Sequence, residues 1–351
     1  MTLGLIVVLA LIFILPFVFR KIEHNLEYFL LVMGLAATII SKTLTMHLVI
    51  EILENYLLYF ITIAVLIAGL IFRMSVKKIK RFVRASINKI PITLFLFLLI
   101  VVLGLVSSLI TAIIAALILV EIVHALPFQH GQKTKLTIIA CFSIGLGAAL
   151  TPIGEPLSTI VVSSLNADFF YLLKSIGIYV IPGILFLGLL GAFYIGGTYQ
   201  RKSVSGVSSE EIELEDKNIE KAESLQDVFV RSFKIFLFVI TLELLGSGFK
   251  PLIDSYIIHL DSRVLYWINM CSAVLDNATI AAAEVSPAMG MQQIQAILMG
   301  LLVSGGMLIP GNIPNIISAG KLNIKSREWA KVGIPIGFIL LIIYFMVIFL
   351  I

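Results

Sequence analysis

The chain has 351 residues, 60% of them hydrophobic and 13% charged, with a mean hydropathy of +1.08. Soluble domains run about 45–50% apolar and about 25% charged, so the composition excludes a sizeable aqueous catalytic domain and predicts an all-α polytopic membrane protein. The formal charge of +4 does not point to nucleic acid, because Lys and Arg gather in short loops, as the positive-inside rule expects. Cys141 and Cys271 both lie in apolar segments and have neither disulfide-framework nor metal-ligand spacing.

A spanning helix needs about 20 apolar residues. Met1–Phe19 meets that length without a basic start or a small-residue cleavage site, so it reads as a retained helix and not a signal peptide. Leu26–Ser41, Leu57–Phe72, Tyr171–Gly197, Val228–Gly248 and Ile334–Ile351 are further spans. Four segments depart from a plain span. Pro91–Leu126 is too long for one crossing and carries Ser107, Ser108 and Thr111 at its middle. Leu136–Leu165 is interrupted by Thr151-Pro152-Ile153-Gly154-Glu155-Pro156, and Gln292–Ala319 by Pro310-Gly311-Asn312-Ile313-Pro314-Asn315. Val264–Val285 holds Asp276-Asn277 at its centre.

The loops set the orientation. Arg73 to Lys89 holds seven basic residues and no acid, which places it in the cytoplasm. Every other loop then falls on a consistent side if Pro91–Leu126 and Val264–Val285 are re-entrant hairpins. The expected topology has eight crossings, two hairpins, two broken helices and both termini outside. The segment Arg201–Asp227, with eight acids and four bases, reads as a solvated cytoplasmic connector spanning 199–227.

On either side of the connector the same order of parts recurs: helix, hairpin, broken helix, final helix. Residues 42–198 form the first copy, with hairpin 91–126 and broken helix 136–165. Residues 228–351 form the second, with hairpin 264–285 and broken helix 292–319, and residues 1–41 precede both. Gly147 to Pro152 aligns on Gly305 to Pro310, and Ser107 to Ala116 on Ser272 to Ala281. Each copy contains three crossings, an odd number, so the second copy must be inverted. Inverted repeats with broken helices are characteristic of secondary transporters, whose sites lie where the breaks meet. Lipid offers no hydrogen-bond partners, so unwound backbone survives only inside protein or beside a wet cavity.

The candidate ion ligands follow from those breaks. Glu155 stands in the first, flanked by Thr151 and Ser158. A carboxylate at membrane depth must face protein, water or an ion. Asp276 and Asn277 mark the second hairpin tip, followed by Thr279, where an Asp or Asn also suits a helix N-cap. Asn312 and Asn315 flank the second break as neutral oxygen donors, and Ser108 and Thr111 occupy the first hairpin tip. Glu243 and Glu284 are expected near the outer surface. No HExxH, GxSxG, P-loop or dinucleotide fingerprint occurs, which argues against an enzyme.

Ser272-Ala273-Val274-Leu275-Asp276-Asn277-Ala278-Thr279 resembles the hairpin-tip motif of the ion transporter superfamily, especially its arsenite-permease and NhaD-type sodium/proton antiporter branches. Thr151 to Pro156 is similar to that group's broken-helix motif, and Gly311 to Ile317 to its proline-asparagine break. The likeness covers roughly residues 91–351. The first tip, Ser107-Ser108-Leu109-Ile110-Thr111, departs from the Ser-Asn-Thr signature of the carboxylate-transporting branch. The resemblance implies an elevator-type carrier, a homodimer, with ion-site roles for Glu155, Asp276 and Asn277. The expected activity is Na⁺/H⁺ antiport, with Na⁺ at Asp276, Asn277 and Glu155, no cofactor, and lipid and a small ion as the only other partners. Na⁺-coupled carboxylate or oxyanion transport and arsenite export are the alternatives.

Overall fold

The computed structural model describes all residues except 20, 21, 23, 24, 57, 61, 64, 65, 68, 72, 73, 75–89, 166, 197–224, 274–276 and 351. The described residues are helical or in turns, with no strand among them. Most of the basic loop and of the connector therefore lies outside the described residues, as does Asp276.

The first half contains α1 (Thr2–Val18), α2 (Leu26–Ser41), α3 (Met46–Glu54), α4 (Ile92–Ile110), α5 (Ala112–Ala125), α6 (His130–Ala148), α7 (Pro156–Ser164) and α8 (Tyr171–Gly196). The second contains α9 (Leu225–Leu252), a π-helical turn (Ile253–Ile257), α10 (Ser262–Ile268) and a 3₁₀ turn (Asn269–Ala273). It continues with α11 (Asn277–Glu284), α12 (Met291–Gly305), a 3₁₀ turn (Ile309–Gly311), α13 (Ile313–Lys321) and α14 (Ser326–Phe349). Among the described residues three helices, α4, α8 and α14, are long and apolar enough to cross a membrane. This is an all-α membrane protein.

Local chemistry sets the ends of these helices. The Thr45 hydroxyl accepts from Leu48 N–H to start α3, and the Asp261 carboxylate accepts from Arg263 N–H to start α10. At the starts of α6 and α12 a glutamine three residues in, Gln132 or Gln293, accepts from the N–H of Gln129 or Gly290. Proline opens α7 at its first position and α13 at its second, where a missing N–H costs nothing.

The packing carries the same relations twice. The arm α4 lies on α6 just as α10 lies on α12. The second arm of each hairpin-like unit then crosses over, α5 to α13 and α11 to α7. The ring of Tyr266 is fully buried and its hydroxyl donates to Leu341 O, tying α10 to α14. Outside this core, α2 runs against α9, close enough at Gly34 and Gly248 that an added Cβ would crowd Leu244 or Ala37. The Lys234–Glu27 ion pair at 3.2 Å joins the same two helices.

Candidate functional site

The first break starts where α6 ends at Ala148. Its polypeptide is held by its own side chains: Thr159 Oγ1 donates to Pro152 O at 2.8 Å. The hairpin tip is joined to it by two hydrogen bonds, from Ala112 N to Gly154 O at 2.7 Å and from Thr151 Oγ1 to Ser108 O. Thr111 between the arms has φ 76° and ψ 149°, a conformation that a β-branched residue adopts only when its surroundings impose it. Its hydroxyl caps α5 by accepting from Ile114 N–H at 3.4 Å. Thr151 and Ala112 thus hold the break against the α4–α5 junction, and Ser108 Oγ donates within its own helix to Leu105 O.

The second break is also satisfied from within. Asn315 Nδ2 donates to both Gly305 O and Leu308 O at 2.8 Å, and Trp329 Nε1 donates to Gly306 O at 3.1 Å. Asn315 is thereby a brace of freed backbone carbonyls, and only its Oδ1 lacks a hydrogen bond.

The two breaks meet. Thr111, Glu155 and Asn312 line one small pocket of about 20 Å³, together with Ile153, Gly154, Thr159, Val239 and Ile313. Glu155 precedes α7 with φ −154° and ψ 160°, and Asn312 precedes α13 with φ −154° and ψ 147°. They occupy equivalent places, each as the residue before a nine-residue helix. That pairing is one residue off the alignment of Gly147 on Gly305, because Pro156 and Pro314 occupy different positions in their first turns. Both side chains are buried, Glu155 at 4% exposure and Asn312 at 4%. The Asn312 amide lies over Gly145, where a Cβ would come within 2.8 Å of it. Ser158 is fully buried, and its hydroxyl has no hydrogen-bond partner.

Near this pocket the hairpin-to-helix contacts also repeat. Ser107 Oγ donates to Ile144 O at 3.0 Å and Ser272 Oγ to Leu301 O at 3.2 Å, each from arm to broken helix. Asn277 is buried at the start of α11, and its Nδ2 has no hydrogen-bond partner. Thr279 lies in the first turn of the same helix, and its side chain is outside the described residues.

Two further acids have partners within the fold. Half-buried Glu243 accepts from Ser163 Oγ and from Asn55 Nδ2 at 3.0 Å, linking α9, α7 and the end of α3. Glu284 is 8% exposed and faces Asn269. Asn269 had no signal in the sequence, since one asparagine in an apolar run reads as a packing residue.

No curated protein matches the chain. A family model described as protein of unknown function matches residues 2–351, and the chain belongs to that family, DUF1646.

Proposed function

We propose that the protein is a secondary transporter that exchanges a monovalent cation, Na⁺, for protons. The observation that carries this reading is the pocket in which Glu155, Asn312 and Thr111 converge from two helix breaks and a hairpin tip. Burial at membrane depth disfavours the charged carboxylate, so a cation and a proton compete for it. Neutral oxygens from Asn312 and Thr111 are hard donors suited to Na⁺. The pocket lining includes no Lys or Arg, which favours a cation over a carboxylate or oxyanion substrate.

In this reading the two helix–break–helix units are inverted copies, the hairpins are re-entrant, and the chain makes eight crossings with both termini outside. The paired contacts of Ser107 and Ser272, and the equivalent places of Glu155 and Asn312, support that symmetry. The resemblance to the ion transporter superfamily adds an elevator motion and a homodimer, with Asp276 as the second exchanging acid. Proteoliposomes with an imposed pH gradient test it. Na⁺ addition should collapse the gradient in the wild type and fail to do so in Glu155→Gln. If no cation among Na⁺, Li⁺ and K⁺ dissipates the gradient, antiport is wrong; if Glu155→Gln keeps full exchange, the site is wrong.

A further inference from the structure

The pocket leaves a second polar group in the second half unexplained. Asn269 opens the 3₁₀ turn after α10 and is fully buried; its side chain contacts Glu284, and its Oδ1 accepts no hydrogen bond. Buried amide oxygens are almost always satisfied, so an Oδ1 left open calls for a donor or a cation. Asn269 faces Glu284 at the end of α11, which is 8% exposed and whose Oε2 also has no hydrogen-bond partner.

The surroundings supply a way in. Two residues beyond Glu284, Ser286 Oγ donates to Asp254 Oδ1 at 3.4 Å. Asp254 is exposed and lies in the π-helical turn Ile253–Ile257, a backbone form that recurs at functional sites. Exposure thus falls along an acidic path from Asp254 to Glu284 to Asn269. The backbone carbonyl of Asn269 accepts from Ser304 Oγ at 2.8 Å, which fixes the turn and leaves the side chain to face Glu284.

We propose that Glu284 and Asn269 form a second monovalent-cation site, with the Glu284 carboxylate and the Asn269 amide oxygen as ligands and Asp254 at its entrance. Among the described residues no Lys, Arg or His forms an ion pair with Glu284, and the Asn269 amide oxygen accepts no hydrogen bond. The site stands apart from the Glu155 pocket, so it does not depend on the antiport reading.

Equilibrium binding of radiolabelled Na⁺ to the purified full-length protein in detergent tests the proposal. Glu155→Gln should retain a saturable component, and Glu155→Gln with Glu284→Gln should retain none. Glu284→Gln alone, eluting as a monodisperse species, should weaken that component at least tenfold. Asn269→Asp should tighten it several-fold, because a second carboxylate replaces the amide. The proposal is overturned by unchanged Na⁺ binding in monodisperse Glu284→Gln. If Glu284→Gln does not fold, Asn269→Asp decides: unchanged affinity overturns the site. A component lost only with Glu155→Gln overturns this site and leaves the transport reading standing, whereas survival of the component in Glu155→Gln with failed exchange in the wild type does the reverse.

Discussion

Gly147 sits where α6 and α4 approach most closely. A Cβ at this position would overlap the carbonyl oxygen of Gly104, far inside the 3.0 Å that real Cβ contacts essentially never undercut, and would also lie 3.1 Å from Ser107 Oγ. The obstacle is backbone in mid-helix, so no side chain can swing aside. Relief requires the two helices to part. Two hydrogen bonds flank the contact, Ser107 Oγ to Ile144 O at 3.0 Å and Ser143 Oγ to Ile100 O at 2.9 Å, and each contributes about 1 kcal/mol. Overpacking against fixed atoms costs about 1–3 kcal/mol by itself. Gly147→Ala should therefore destabilise by about 3 kcal/mol, since parting the helices weakens both bonds without abolishing them. At roughly 2 °C per kcal/mol for a chain of this size, the unfolding midpoint in detergent should fall by roughly 6 °C. Gly131 provides the matched control on the same helix, because nothing lies within 4 Å of its Cβ position. Gly131→Ala should match or slightly exceed the wild type, by up to about 1 kcal/mol from helix propensity. Equal midpoints for Gly147→Ala and the wild type would show that α4 and α6 are not held at this distance, and the reasoning would fail.

Thr111 carries backbone strain at a cap, so its substitutions should order in an unusual way. Glycine removes strain of about 1–3 kcal/mol and loses a cap of about 1 kcal/mol, whereas valine keeps the strain and loses the cap; thermal midpoints should rank Gly at or above Thr, and Thr above Val, with Val above Thr refuting the assignment. Glu243→Ala leaves Asn55 and Ser163 without their shared acceptor and should lower stability by about 2 kcal/mol, measured as a midpoint shift, with Glu243→Gln losing less. Hydrogen bonds from Lys174 and from Phe170 N–H hold the Asp168 carboxyl below its usual range. A depressed folded value means the stabilisation is present above the unfolded value and is lost as pH falls through the folded one. Asp168→Asn should therefore trail the wild type slightly at pH 7 and converge with it in acid, as read by midpoints across a pH series.

The hydrophobic spans and both breaks were legible because apolar length and the Pro-Gly clusters 151–156 and 310–315 act locally on the backbone. The Glu155 pocket was partly legible for the same reason: a carboxylate between Gly154 and Pro156 has few other uses at that depth. Thr111 was legible as a tip residue, but its positive φ was not, because threonine is the wrong residue for it and only the Ala112–Gly154 hydrogen bond and the packing around it impose it. Asn315 reads as an oxygen donor, and the structure adds that its Nδ2 braces the Gly305 and Leu308 carbonyls while its Oδ1 makes no hydrogen bond; nothing in a single sequence says which acceptors lie behind an asparagine. The partners of Glu243 were not legible for a related reason, since its donors Asn55 and Ser163 come from elements 188 and 80 residues away. Spatial pairing of that kind is set by tertiary packing and leaves no periodicity to read.

The crossed arrangement of α5 with α13 and of α7 with α11 has a consequence for biogenesis. Residues 112–125 pack on α4 and α6 of their own half, but their contact with α13 forms only when residues 313–321 have been synthesised, so the first half must stay in the bilayer with one face uncovered while most of the second half is made. Contacts so distant in sequence form late and expose intermediates to misassembly. Chains truncated after the first half should accordingly be retained by quality control, while two pieces cut between residues 199 and 224 and made together should rescue each other, because the interlock joins halves through space and needs no continuous connector.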